Sequence, residues 1–320
     1  MRLYGICNKE SKFFYMKINL SMGRMLKRVI YVLALQIVFF SRAFGQNIDT
    51  AKIEQITHIK GVWNAEEQVF KISLPRKDVK IVIDGWEASP FMGLTSWVAF
   101  KKTGDNLLAM GDIVLFEDEV NPIMSVALEN DLAVTALHNH FFYDNPRVFF
   151  MHIEGFADAE KLPNSIANIF DEIKKIRSLK PSISTSFGGP QISTSSSISQ
   201  QMIEEIFQTK SQSQDGMIKV TIGRTTEMEE IVSKEMGVNS WAAFAGTHDN
   251  AIVDGDIAVQ ENELQEVLIT LRKANINIVA IHNHMIHENP RMLFLHYWGK
   301  GPAKVLAEQV KRAFNKTQSK

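Results

Sequence analysis

An internal duplication constrains the fold of this chain more than any other feature of its sequence. The residues ALHNH at positions 136–140 return as AIHNH at positions 280–284, and the matching residues on either side are likewise 144 positions apart. Between residues 97 and 155, about 21 of 59 positions are identical to the second copy without a gap. The chain is therefore predicted to be one structural unit repeated in tandem.

The segment between the two copies has the composition of a connector. Residues 178–200 are rich in Ser, Gly and Pro, and Lys180 is the one charged residue among them. Such segments are typical of flexible linkers rather than of packed domains. We therefore place repeat 1 at residues 46–177, the linker at 178–200 and repeat 2 at 201–320.

The apolar periodicity predicts the same elements in each copy. Each copy begins with a short helix and continues with several strands, an amphipathic helix, a β-hairpin and a closing helix. Acidic residues at 117–119 and at 261 and 263 favour helix starts at those points, because negative charge is stabilised at the positive end of the helix dipole. Strands that are both adjacent and separated by helices predict an α+β fold, a tandem duplication of a unit with a mainly antiparallel sheet and helices packed on one face. The predicted hairpins pair 133–140 with 147–155 and 277–284 with 291–299.

The first 45 residues have the pattern of a secretory signal peptide. Lys27 and Arg28 precede an apolar run at residues 29–40, and Ala43-Phe44-Gly45 offers the small residues that signal peptidase prefers. We expect cleavage near Gln46. Three later methionines are alternative translation starts that would keep the signal: Met16, Met22 and Met25.

The same region predicts a free exported protein rather than an anchored one. The apolar run of residues 29–40 is shorter than the roughly 20 residues that cross a bilayer, so no stable membrane span is expected in the mature protein. The one cysteine, Cys7, precedes this run, where it cannot serve as a lipoprotein anchor. The predicted location is therefore periplasmic or secreted. The net charge of −1 gives no attraction to nucleic acid, and no nucleic-acid partner is expected.

Several blocks of this sequence resemble a known family. They are the paired HNH, NPR and H-x-x-G blocks, the GD-I segments that precede E-x-E, and the phrases SWAAF and VTIGRTT. Together they resemble the LppY/LpqO-like domain-of-unknown-function family of exported bacterial proteins, over about residues 50–315. The named members of that family are lipoproteins, whereas this sequence lacks the lipidation cysteine. The resemblance therefore implies export without anchoring, and it implies no particular activity.

The histidines carry the functional prediction. Six of the nine lie in the repeated blocks. Because side chains alternate along a strand, His138 and His140 would project from one face about 7 Å apart, and His152 would join them only if the hairpin register allows it. Three neutral imidazoles could hold a divalent transition metal, zinc or similar, and leave a coordination position open. The candidate metal ligands and catalytic residues are His138, His140, His152, His282, His284 and His296.

Other polar residues are weaker candidates. Glu117 and Glu261 are candidate catalytic bases, although acids at helix starts are favoured without any function. Asp112 and Asp256 follow glycines at the predicted starts of two strands, 112–116 and 256–259, and this pattern is more typical of turns than of catalysis. Two arginines follow Asn-Pro turns. At such a position an arginine forms either a surface ion pair or a bidentate contact with a carboxylate of a ligand. The candidate ligand-binding residues are Arg147, Arg291, Asn139 and Asn283.

Two functions remain open at this point. In the first, an exported protein uses the duplicated histidines to hold a divalent metal and act on a small or cell-envelope substrate. In the second, a non-catalytic exported protein binds a cell-envelope ligand through the same surface. Histidines that only make structural hydrogen bonds are a further interpretation. Nucleotide-binding, α/β-hydrolase and zincin motifs are absent from the sequence.

Overall fold

The computed structural model describes residues 48–317, so the predicted signal peptide and the alternative starts lie outside the described residues. Both repeats belong to one unit that begins at Asp49. The described part of the chain contains six α-helices and seventeen strands, and the predicted α+β class is confirmed. Within residues 48–317, no helix is both long enough and apolar enough to cross a membrane.

Repeat 1 begins with a capped helix and alternates strands with two longer helices. The carboxylate of Asp49 accepts a hydrogen bond from the Lys52 N–H at 2.9 Å, which satisfies one of the unpaired donors at the start of the first helix. The elements are α1 (Thr50–Thr57), β1 (Gly61–Asn64), β2 (Val69–Pro75), β3 (Val82–Ile83), β4 (Trp86–Glu87), β5 (Thr95–Thr103), β6 (Asn106–Phe116), α2 (Glu117–Glu129), β7 (Ala133–His138), β8 (Asp144–Asn145), β9 (Val148–Asp158) and α3 (Lys161–Leu179).

Repeat 2 contains the same series of elements except that β8 has no counterpart. Its first helix is capped by the Ser199 hydroxyl, which accepts a hydrogen bond from the Met202 N–H at 3.3 Å. The elements are α4 (Gln200–Phe207), β10 (Ser211–Gln214), β11 (Met217–Gly223), β12 (Thr226–Glu227), β13 (Ile231–Val232), β14 (Asn239–Gly246), β15 (Ala251–Gln260), α5 (Leu264–Lys273), β16 (Asn277–His282), β17 (Met292–Gly301) and α6 (Ala303–Phe314).

The two repeats share one antiparallel sheet of twelve strands. Its order is β1-β2-β5-β6-β9-β7-β16-β17-β15-β14-β11-β10, so the second half repeats the first in reverse. At the centre, β7 and β16 meet in one residue pair, Leu137 with Ile281. The histidine segments at the ends of these two strands therefore lie near the middle of the sheet.

The helices cover one face of this sheet and loops cover the other. A Cβ atom on Gly155 would lie 2.6 Å from the Leu132 side chain and 2.7 Å from Leu162 of α3, so the helices pack closely there. On the opposite face, Val114 and Phe150 form a core with Ile81 of the β2–β5 connection. The predicted arrangement of helices on one face is confirmed, and the histidines lie on the face that the connections cover.

Three predicted boundaries were wrong in ways that matter for the site. Strands β7 and β16 end at His138 and His282, so His140 and His284 lie in the segments that follow. Strands β6 and β15 begin earlier than predicted. Helix α5 begins at Leu264 rather than 261, because a turn closed by the hydrogen bond from the Glu263 N–H to the Gln260 carbonyl precedes it.

Charged side chains are buried at the start of α2. Glu119 is fully buried, and its carboxylate accepts hydrogen bonds from Arg76 at 2.7 and 3.0 Å and from the Phe116 N–H at 2.9 Å. The Arg177 guanidinium forms a further ion pair with it at 2.8 Å. In repeat 2, Arg224 and Glu263 form the corresponding pair. Because a buried charge is tolerated only when it is paired, these groups fix β2, α2 and α3 together.

Two amide side chains join the repeats where β7 and β16 diverge. Gln265 of α5 accepts a hydrogen bond from the Val134 N–H at 3.0 Å and donates one to its carbonyl at 2.9 Å. Asn121 of α2 accepts a hydrogen bond from the Ile278 N–H at 2.7 Å and donates one to the Ile278 carbonyl at 3.0 Å. Buried backbone groups need partners. Strands β7 and β16 pair at only one position, so Val134 and Ile278 have no partner in the opposite strand. The two amides form those hydrogen bonds instead.

We expect Gln265→Ala to lower the free energy of unfolding by about 1–3 kcal/mol, because it leaves the N–H and the carbonyl of buried Val134 without partners. Gln201→Ala is the control, since Gln201 is exposed and bonds only a neighbouring side chain on the helix surface, at 2.8 Å. Urea unfolding measures both changes. Equal effects of the two substitutions would contradict this role of Gln265.

Candidate metal centre

The pairing of strands brings one carboxylate and two histidines together in each repeat. Asp112 of β6 is paired directly with His152 of β9, and His138 of β7 is paired with Phe150 of β9. Directly paired residues and residues two apart share a face, so Asp112, His138 and His152 project from the same side of the sheet. In repeat 2 the pairs are Asp256 with His296 and His282 with Phe294.

The third histidine of each repeat is held by a buried phenylalanine. The His140 ring lies 3.3 Å from the Phe150 ring, centre to centre, and nearly parallel to it. The His284 ring lies 3.5 Å from the Phe294 ring in the same way. Both phenylalanines are fully buried. The ring positions of His140 and His284 are therefore fixed by packing, although neither residue belongs to a strand.

A tight turn closes over this histidine from the other side. The 3-10 turns Pro90–Met92 and Lys234–Met236 end at Gly93 and Gly237, whose φ angles are +91° and +87°. Other residues rarely adopt such angles. The Gly237 carbonyl lies 3.3 Å from His284 Nδ1. Because a carbonyl only accepts hydrogen bonds, this contact places the proton of a neutral ring on Nδ1 and leaves the lone pair on Nε2.

Three donor atoms converge in repeat 2. His284 Nε2 lies 3.2 Å from His282 Nε2 and 3.4 Å from Asp256 Oδ2. Ligand atoms of Asp256, His282 and His284 all lie within 4.8 Å of one another. Ligands about 2.0 Å from a tetrahedral zinc ion are about 3.3 Å apart. The two measured distances thus match the edges of such a coordination shell.

His296 lies directly beside this group. Its ring is stacked on His282, with ring centres 4.9 Å apart, and its Nδ1 lies 3.2 Å from the Gly255 carbonyl. This contact again directs the proton to Nδ1 and leaves Nε2 free. The His284 side chain is 33% exposed, so a further coordination position at this site would face solvent.

The corresponding residues of repeat 1 are close but arranged differently. His138 Nε2 lies 3.0 Å from His152 Nε2, and the His138 ring centre lies 5.1 Å from that of His140. Among residues 48–317, the set of three donors that fits a metal ion is the one in repeat 2. The duplication therefore preserved the residue types of the site but not the same side-chain geometry.

Buried polar atoms without partners mark both clusters. Asp112 is 8% exposed and Asp256 is 3% exposed. In the described part of the chain, Oδ1 of each aspartate and Nδ1 of His282 have no hydrogen-bond partner. A buried carboxylate oxygen without a partner costs about 1–3 kcal/mol or more. A bound cation would remove that cost.

Burial also shifts the protonation equilibria of these groups. It lowers the pKa of His282 to about 4, and repulsion from His296 and His284 acts in the same direction. Burial lowers the pKa of His140. It raises the pKa of Asp112 and Asp256, although the neighbouring imidazoles act in the opposite direction on both carboxyl groups. At neutral pH, His282 is therefore a neutral ring with a lone pair available for a metal ion.

The other predicted site residues lie outside these clusters. Glu117 and Glu261 are exposed, and neither forms a hydrogen bond or an ion pair with another described residue. The Asn139 side chain donates to the Val148 carbonyl at 3.0 Å, which stabilises the loop before β9. Asn283 and Arg291 are exposed on the equivalent loop of repeat 2. Arg147 lines a cleft between the repeats.

The two aspartates of these clusters were not among the predicted site residues. Asp112 and Asp256 were expected at the starts of strands, next to a turn, whereas each lies inside a long strand directly beside a histidine of the site. The signal that could have found them was their equal spacing in the two copies together with the apolar residues that follow, which extend the strand. A buried aspartate inside an apolar strand needs a partner, and the histidines are its neighbours.

Comparison with known proteins places the chain in a family. A family model described as a Domain of Unknown Function (DUF1259) matches residues 51–172 and again residues 201–316. No curated protein and no solved structure matches the chain. The two matched segments correspond to the two repeats and together cover well over half of the sequence. The chain therefore belongs to this domain-of-unknown-function family and carries its domain twice.

Proposed function

We propose that this protein is an exported metal-binding protein of the LppY/LpqO type, which holds a divalent transition metal ion such as zinc through Asp256, His282 and His284 and acts on a small or cell-envelope substrate. The convergence of the three donor atoms within 4.8 Å carries this proposal. The side chains are neutral nitrogen and carboxylate oxygen donors, which suit zinc and its neighbours in the first transition series. The basic and apolar pattern of residues 27–45 supports export.

Such a site has the features of a reactive centre rather than of a purely structural one. Three protein ligands leave a coordination position open, and the partly exposed His284 places that position toward solvent. A divalent ion there would polarise a carbonyl or phosphoryl oxygen, or lower the pKa of bound water. The Gly237 carbonyl orients the ring of His284, as the second hydrogen-bond partner of a metal-binding histidine usually does.

A second candidate function is binding without turnover. It is favoured by one observation, namely that Glu117 and Glu261, the acids proposed as general bases, form no hydrogen bond or ion pair with a histidine within residues 48–317. In that case the metal ion would hold an anionic ligand of the cell envelope and no bond would be broken. Both functions require the same metal site.

Metal binding can be tested directly on the purified protein without its predicted signal peptide. After dialysis against zinc we expect about one ion per chain by elemental analysis, and stabilisation by about 2.7 kcal/mol at a zinc concentration one hundred times the dissociation constant. For a chain of this size, that corresponds to a rise in melting temperature of several degrees. A chelator should reverse it. Absence of bound metal, and of any stabilisation by zinc, copper, nickel or manganese, would exclude the proposal.

A further inference from the structure

A cleft lies where the two repeats meet. Its volume is about 600 Å³, which is within the range of about 300–1,000 Å³ typical of sites for small organic molecules. Repeat 1 supplies one wall, with Arg147 and Phe149. Repeat 2 supplies the other, with Val279, His296 and Trp298, and the connector at residues 184–187 lines the cleft as well.

The cleft offers an apolar surface for the body of a ligand. The Phe187 ring of the connector is stacked on the Trp298 ring, with ring centres 6.2 Å apart, and Phe149 and Val279 line the same space. Phe187 is 60% exposed and Val279 is 45% exposed, so both present carbon atoms to solvent. Covering such surfaces with an apolar group is favourable.

The polar groups of the cleft favour an acid group on that ligand. The side chains of Arg147 and Lys180 line it, and neither forms a hydrogen bond or an ion pair with another described residue. The Trp298 indole N–H is buried and has no acceptor in the described part of the chain. Unpaired donors of this kind are satisfied by carboxylate, sulfonate or phosphate oxygens, and the planar guanidinium can bind two of them at once.

The carboxylates of the cleft do not cancel this preference. Asp118 is already engaged by Arg177 at 2.6 Å and by the Ser184 N–H at 3.0 Å. Glu117 and Asp254 are exposed, as Arg147 and Lys180 are, and neither acid forms an ion pair with these two cations. Asp254 also lies on the opposite wall from Arg147, two residues from Asp256 of the metal site. We therefore place the anionic end of a ligand beside Arg147 and Lys180.

We propose that the cleft binds a small organic anion with an apolar body, whose acid group is held by Arg147 and Lys180. The apolar body then lies against Phe149 and Trp298. Because His296 belongs both to the cleft and to the histidine cluster of repeat 2, the far end of the ligand lies next to the metal site. This last step rests on the proposed function, whereas binding in the cleft does not.

The proposal can be tested with the fluorescent probe 8-anilinonaphthalene-1-sulfonate, which combines an apolar body with an acid group. We expect saturable binding that octanoate displaces and the uncharged octanol displaces at least about tenfold less well. Arg147→Gln should weaken both probe and octanoate binding about tenfold. Arg291→Gln is the matched control, since it removes the equivalent exposed arginine of repeat 2, which does not line the cleft. It should leave binding unchanged.

Two further variants keep the test specific. Val279→Trp places a large ring in the cleft at an exposed position and should abolish octanoate-displaceable binding. His282→Ala should remove metal binding but leave probe binding intact, which separates a failure of the cleft from a failure of the metal site. Equal displacement by octanol and octanoate, or equal losses in Arg147→Gln and Arg291→Gln, would overturn the proposal.

Discussion

Replacing His282 and His284 together with alanine is expected to lower the zinc affinity of the protein at least about a hundredfold. Even outer partners of metal ligands contribute ten- to a hundredfold in affinity, and this substitution removes two of the three converging donors. The remaining carboxylate of Asp256 would then be buried without a partner in the site. Competition with a chromogenic zinc chelator measures the affinity and the number of ions bound per chain.

The matched control is the equivalent double substitution in repeat 1, His138→Ala with His140→Ala. The donor atoms of repeat 1 do not form a set of three within the described residues, so we expect this variant to keep the high-affinity ion. Asp256→Asn should weaken binding as well, because it removes the one negative charge among the three ligands. Unchanged affinity and stoichiometry in the repeat 2 variant would show that the ion, if bound, lies elsewhere.

The largest effect on stability is expected for Glu119→Gln. This carboxylate is fully buried and neutralises two arginines, Arg76 and Arg177, which are themselves nearly buried. Removing one partner of a buried ion pair leaves an uncompensated charge and typically costs about 3–5 kcal/mol. The free energy of unfolding, measured with urea, should fall by about that amount.

A surface ion pair provides the comparison. Glu172 forms an ion pair with Lys175 at 2.8 Å one turn along α3, and the lysine side chain is mostly exposed. Glu172→Gln should change the free energy of unfolding by less than about 1 kcal/mol, because water screens such pairs. Similar values for the two substitutions would mean that the Arg76 and Arg177 charges are compensated by groups other than Glu119, such as Asp78 and Asp118.

Much of the fold was predictable from local patterns. The duplicated segments fixed the number and order of the main elements, and the two hairpins were placed to within two residues at the histidine ends. The predictions failed at the ends of β7 and β16, where the two-residue spacing of the histidines was taken as a continuing strand but the chain leaves the sheet before His140 and His284. The reason is tertiary: these histidines stack on Phe150 and Phe294 instead of extending the sheet.

The aspartates show why the candidate site was only half predictable. A glycine followed by an aspartate is typical of a turn, and local reasoning has no means to weigh that pattern against a neighbouring strand. The pairing of β6 with β9 places Asp112 beside His152, and the pairing of β15 with β17 places Asp256 beside His296. Strand neighbours such as these are 40 residues apart in sequence and adjacent only in the sheet.

The amino-acid sequence by itself determined that this protein is a doubled α+β unit with the same three histidines in each half, because repetition and side-chain periodicity are properties of the chain alone. Only the tertiary structure decided that both halves share one sheet, that buried aspartates complete the histidine clusters and that the donor atoms converge in repeat 2. The physical reason is that these features depend on contacts between distant segments. Register, burial and ring packing set those contacts, and small differences in packing separate two copies whose motifs are the same.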